Sequence, residues 1–193
     1  MFELPTSIML GEKQFNIRKN GDFRMILDCF SALQDVDLSQ EERVLTSLII
    51  FYDGINDLED VENLPDLEMA IKEMFKFFNC GQEESTVGVK ANYKLIDWQQ
   101  DEQLIASAVN NVAGQEVRLV PYLHWWTFLG YYNAVGECPL SHIIGIRNKI
   151  AKGEKLEKHE QKFKMENPNY FNWDRRTLQE READEWLTKV WNK

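Results

Sequence analysis

Apolar residues recur every three or four positions along most of this chain, the period of a half-buried α-helix. Phe23, Ile26, Leu27, Phe30 and Leu33 form one such stripe. Asn20-Gly21 ahead of it signals a turn, and Asp22 is suited to cap the helix. Ser39 and Glu42 make a capping box that opens a second helix with Val44, Leu45, Leu48, Ile49 and Tyr52 on one face. Asp53–Asn63 reads as an acidic loop. Pro65 is placed in the first turn of a third helix carrying Leu67, Ile71, Met74, Phe75 and Phe78, and Gly81 supplies its left-handed stop. Residues 82–91 read as a polar loop. Asp97 is expected to cap a helix over Trp98–Ala113.

Pro121 is expected to start an aromatic helix in which Tyr122, Trp125, Phe128, Leu129 and Tyr132 share a face. Trp126 projects about 100° away from Trp125 on such a helix, so the rings face two surfaces. Pro139 restarts a helix with Leu140, Ile143, Ile144 and Ile146, ending near Gly153. Leu156–Glu166 is highly charged, with Glu160 and Lys164 spaced to pair. Asp174 is a cap for a last helix, Arg175–Trp191, with Leu178, Trp186, Leu187 and Val190 as a thin apolar stripe.

The opening differs. Ile8-Met9-Leu10 and Phe15-Asn16-Ile17 flank Gly11-Glu12-Lys13, the pattern of two short strands around a turn. A lone hairpin is marginally stable, so it must pack on the helices. The fold class is therefore mainly α: a compact multi-helix domain with a short N-terminal β-hairpin and a charged C-terminal helix. Residues 1–155 form the helical domain, and 156–193 a charged extension that docks on it or extends away.

Composition narrows the function. The chain has 193 residues and a net charge of −10. Residues 1–146 carry −13 and residues 147–193 carry +3. A body this acidic lacks the basic footprint of a nucleic-acid binder, and no apolar run approaches the roughly 20 residues that span a bilayer. No signal peptide is evident. Cys29, Cys80 and Cys138 are odd in number and widely spaced, which fits small buried side chains in a reducing compartment. Phosphate-binding glycine loops and a nucleophile elbow are missing. Cys138 and His142 sit four apart, yet too few partners accompany them for zinc. Catalytic residues, metal ligands and cofactors are not expected.

The most distinctive run is Tyr122-Leu123-His124-Trp125-Trp126-Thr127-Phe128. Aromatic side chains bury about 150–250 Å² each and dominate cores and interfaces alike. The sequence leaves both readings open. His124, Trp125, Trp126, Phe128, Tyr132 and Arg147 are the candidate partner-binding residues.

These residues also carry a family resemblance. A hairpin enters Asp22-Phe23-Arg24. An aliphatic helix, an acidic Pro-containing connection and an Ile/Phe-rich helix ending in Cys80-Gly81 follow. Then come the His-Trp-Trp run, Ile143-Ile144, Arg147 and a basic segment. In order and spacing this resembles the gene-product-fifteen family of tailed siphophages over residues 8–165. Two features depart from the pattern: a longer Arg18-Lys19-Asn20-Gly21 turn, and Ile146-Arg147 where a Tyr-Arg pair belongs. The resemblance implies a non-enzymatic tail assembly chaperone. It would bind the tape-measure protein, and with it tail-tube subunits or a second chaperone, as a homo-oligomer or multi-copy coat in the host cytoplasm. A structural tail or neck component of the virion, and a phage regulatory or host-interaction protein, are the alternatives.

Overall fold

Short polar side chains cap the starts of the first four α-helices. The computed structural model describes residues 3–82 and 95–172. Strands β1 (Ser7–Leu10) and β2 (Lys13–Asn16) pair antiparallel, Ile8 opposite Phe15 and Leu10 opposite Lys13. Period-two alternation sends Ile8 and Leu10 into the core and leaves Met9 exposed.

Asp22 caps helix α1 (Phe23–Gln34) by accepting the Arg24 amide. The Ser39–Glu42 capping box opens α2 (Gln40–Phe51), with both reciprocal bonds formed. Helices α1 and α2 pack closely, since Ser47 is small enough to let the backbones approach. Its hydroxyl reaches the Cys29 carbonyl.

The acidic stretch after α2 contains a short helix, α3 (Leu58–Glu62), in place of a plain loop. Asp57 accepts the Asp60 amide and so caps it. Helix α4 (Leu67–Phe78) begins after Asp66, which caps it; Pro65 lies outside, ahead of the cap. The helix expected from Trp98 starts later, as α5 (Glu102–Ala113). Asp97 instead closes a turn by accepting the Gln99 and Gln100 amides.

The aromatic helix α6 (Trp125–Asn133) likewise starts four residues after Pro121. Residues ahead of it are extended: His124 bridges Asp22, and Phe23 donates its amide to Leu123. Helix α7 (Pro139–Ala151) has Pro139 in its first turn and Cys138 as its cap. Helix α8 (Lys158–Glu166) follows. Glu160 pairs not with Lys164 but with Lys149 of α7, at 2.6 Å. His142 and Phe163 meet edge to face at 5.0 Å, which adds to the α7–α8 contact. The helix expected over Arg175–Trp191 and nearly all of the expected 82–91 loop lie outside the described residues.

The core is aromatic-rich. Phe30 touches Phe78, Trp98 and Trp125 at 5.0–5.6 Å, and Phe23 stacks on Phe128 at 4.5 Å. Phe51 meets Tyr52, Phe77 and Phe78 edge-on, the favoured arrangement for ring quadrupoles. No helix among the described residues is long and apolar enough to cross a membrane.

Candidate partner-binding surface

The two adjacent tryptophans close the end of α4. A helix leaves its last four carbonyls without intrahelical partners. In α4 these are Phe75, Lys76, Phe77 and Phe78, and each is satisfied. Asn79 donates to Phe75, Gly81 to Lys76 and Cys80 to Phe77. The Trp126 indole adds a bond to Phe77 and the Trp125 indole takes Phe78, both at 2.9 Å. Gly81 sits at φ +81°, and the Trp126 ring lies over it; a Cβ there would stand 3.3 Å from Trp126 Cη2. The Cys80-Gly81 stop and the Trp-Trp pair are therefore two halves of one closure.

His124 is the N-cap of α6, and its two ring nitrogens have different duties. Nδ1 accepts the Trp126 amide at 3.1 Å, and Nε2 lies 3.0 Å from the Pro5 carbonyl. A carbonyl only accepts, so Nε2 carries the proton and Nδ1 the lone pair. Burial lowers the pKa of His124 from 6.5, partly opposed by the bond to Pro5. The neutral ring thus ties the segment before β1 to the start of α6.

Arg147 holds a third junction. It is 5% exposed and Asp101 is fully buried. Nη1 and Nη2 grip the Asp101 carboxylate at 2.6 and 2.9 Å. The same guanidinium donates to the Leu95 and Tyr170 carbonyls. One side chain therefore joins α7, the turn before α5 and the end of the described chain.

The six residues expected to meet a partner thus divide. His124, Trp125, Phe128 and Arg147 are interior, at 1%, 1%, 2% and 5% exposure. In this structure their side chains serve contacts within the fold. Trp126 and Tyr132 are half-buried. The Tyr132 ring leans on Trp98 at 5.7 Å, and burial, then Asp101 and Cys138, pushes its hydroxyl up to about 12.

Trp126 borders a groove. This depression, about 410 Å³, lies between β1 and the end of α4. Ile8, Met9, Phe77 and Trp126 give it an apolar lining, and the Glu73–Lys76 ion pair stands on its rim. Met9 is 53% exposed there. Strand alternation in Ile8-Met9-Leu10 is the sequence signal that points to Met9 as an outward apolar side chain.

Arg18 and Arg24, to which the sequence reading assigns no role of their own, organise loops around this body. Arg18 Nη2 collects the carbonyls of Ile49, Tyr52 and Ile55. Arg24 pairs with Asp22 and reaches the carbonyls of Val117, Arg118 and Val120. Neither has a sequence signature, because the carbonyls they bind are distant in the chain. Among the described residues, no group of three or more His, Cys, Asp or Glu side chains is placed to hold a metal ion.

Residues 2–170 match the family model described as bacteriophage Gp15 protein. The chain belongs to that family. It is a phage protein, and the match spans the hairpin, the Trp-Trp closure and the Arg147 junction. No curated protein and no solved structure matches it.

Proposed function

We propose that this Gp15-family protein is a non-enzymatic tail assembly chaperone that keeps the tape-measure protein soluble in the host cytoplasm until tail-tube subunits enclose it. The observation that carries the reading is the groove beside Trp126 on a phage protein with a net charge of −10. A tape measure is a long helical protein whose apolar stripes aggregate when uncovered. An apolar groove with an aromatic wall suits such a stripe, as in helix-in-groove recognition. The acidic body supplies solubility and steers basic segments of the client toward it. A chaperone has to release its client, so single contacts are weak and many copies supply avidity.

The test is co-expression with the tape-measure protein of the same phage genome, then affinity capture and size-exclusion chromatography with light scattering. A soluble multi-copy complex is expected, with the tape measure insoluble alone. A tape measure equally insoluble in both cases overturns the reading in favour of a virion component or host-interaction protein. Met9→Asp tests the surface. Met9 is exposed, so the melting temperature should hold while client capture falls. Unchanged capture would move the contact away from this groove.

A further inference from the structure

The segment between α5 and α6 carries an apolar run, Leu119-Val120-Pro121-Tyr122, on the outside of the molecule. Leu119 is 82% exposed, Tyr122 is 47% exposed, and Pro121 between them is exposed as well. Consecutive apolar residues in solvent do nothing for the fold and signal a contact surface. The backbone here is nevertheless fixed on both sides. Arg24 Nη2 holds the Val117, Arg118 and Val120 carbonyls, and Asp22 accepts the Leu123 amide at 3.0 Å. The Tyr122 hydroxyl donates to the Asn20 carbonyl at 2.9 Å. Ordering a loop costs backbone entropy, which folding ordinarily offsets by burying the loop's side chains. This loop is ordered without that burial, as a ridge pre-organised for a partner would be.

The ridge stands beside a hole. A groove of about 390 Å³ lies between α1 and α5, and Val117 and Arg118, at the base of the ridge, line one end of it. Its floor is apolar and includes Leu27, Trp98, Ile105 and Phe128. On the rim, Glu102 is paired with Arg118, which Glu116 also grips, so the uncommitted acid is Asp28. The ridge carries its counterpart. Lys19 is exposed and precedes Asn20, the residue that Tyr122 holds. Neither the Lys19 nor the Asp28 side chain has a hydrogen bond or ion pair among the described residues.

A knob beside a hole is self-complementary under a two-fold axis, because each copy's ridge then meets the other's groove. We propose that two copies of this chain pair in this way. Leu119 and Tyr122 of one protomer enter the α1–α5 groove of its partner, and Lys19 faces Asp28 across each of the two contacts. A net charge of −10 on each copy opposes association, so the apolar contact supplies the affinity and the lysine–aspartate pairs set the register. The pairing involves neither a client nor the groove beside Trp126, and it stands or falls independently of the chaperone reading.

The test is sedimentation equilibrium of the full chain at physiological salt over a wide range of protein concentration. A monomer–dimer equilibrium is expected. Leu119→Asp should raise the dissociation constant roughly tenfold or more, with the melting temperature unchanged because the side chain is exposed. Lys19→Glu and Asp28→Lys should each weaken the dimer, and together restore it. A benzophenone amino acid in place of Ser31, a half-buried groove residue, reads the geometry in a mixture of ¹⁴N- and ¹⁵N-labelled protein. Crosslinks into residues 119–122 that join the two isotopes are expected. A monomer at every concentration would overturn the proposal. So would crosslinks of a single isotope only or to other segments, a dimer indifferent to Leu119→Asp, or a charge swap that fails to restore it.

Discussion

Arg147→Met is the substitution that separates a partner contact from a structural clasp. It keeps most of the side-chain length and removes the charge. Asp101 then remains a fully buried carboxylate without its cation. Breaking a buried pair by removing one partner costs about 3–5 kcal/mol. The Coulomb scale agrees, at about 4 kcal/mol for charges some 4 Å apart at an effective dielectric constant near 20. The Leu95 and Tyr170 carbonyls also lose a donor, at about 1 kcal/mol each, which favours the upper end. For a chain this size each kcal/mol moves the melting temperature by about 2–4 °C, so the drop should be about 6–20 °C.

Thermal and urea unfolding followed by circular dichroism measure it. The cost should persist at about 0.5 M salt, because a buried pair is poorly screened. Asp101→Leu combined with Arg147→Met should cost clearly less than the two single changes together, since no charge is then left unpaired. Additive costs, or an unchanged melting temperature with weakened client binding, would refute the clasp and restore Arg147 as a contact residue.

Three further outcomes are expected. His124 has a folded pKa below its unfolded 6.5, so the unfolded chain takes up the proton first. Its contribution is full above pH 6.5 and declines as pH falls through that value toward the folded pKa; His124→Asn, which keeps a capping oxygen, should flatten urea stability across that window. Gly21→Ala puts a methyl 2.8 Å from Phe77 Cζ at φ +74°, and should cost about 2–4 kcal/mol in urea unfolding. Burial raises the Cys29 thiol pKa strongly, so thiol titration of the native protein should modify Cys80 and Cys138 and reach Cys29 only on unfolding.

The legible parts of the fold are local ones. Asp22, Ser39 and Glu42 fix their helix starts through bonds spanning two or three residues, and the sequence displays both partners. The misread starts have tertiary causes. Tyr122 and Leu123 fit a helical stripe by spacing, but the Leu123 carbonyl is taken by Phe23 and its amide by Asp22, which holds the segment extended. Asp97 has cap chemistry but spends it on a turn that delivers Asp101 to Arg147. Whether the aromatic run is core or surface was not legible at all. That depends on carbonyls 47 and 49 residues away, which Trp125 and Trp126 reach only in the folded chain.

The residues that mark the family are, in this structure, mainly those that lock it. His124 ties the N-terminal segment to α6, Trp125 and Trp126 close α4, and Arg147 joins three segments. A motif that identifies a family through its locks says little about the partner, because a lock functions by being buried. A partner must read what the locks leave outside, and along this surface burial falls in the order Trp125, Trp126, Met9. Stability and binding costs should therefore rank in opposite directions across these three. Trp125→Ala should cost about 3–5 kcal/mol and unfold much of the protein before binding can be judged. Met9→Ala should leave unfolding nearly unchanged and weaken client capture. Trp126→Ala lies between, losing one helix-capping bond and one groove wall together. A client that responds to Trp126 but not to Met9 would point to a stability effect and against a contact, and only the two measurements made on the same variants can tell those apart.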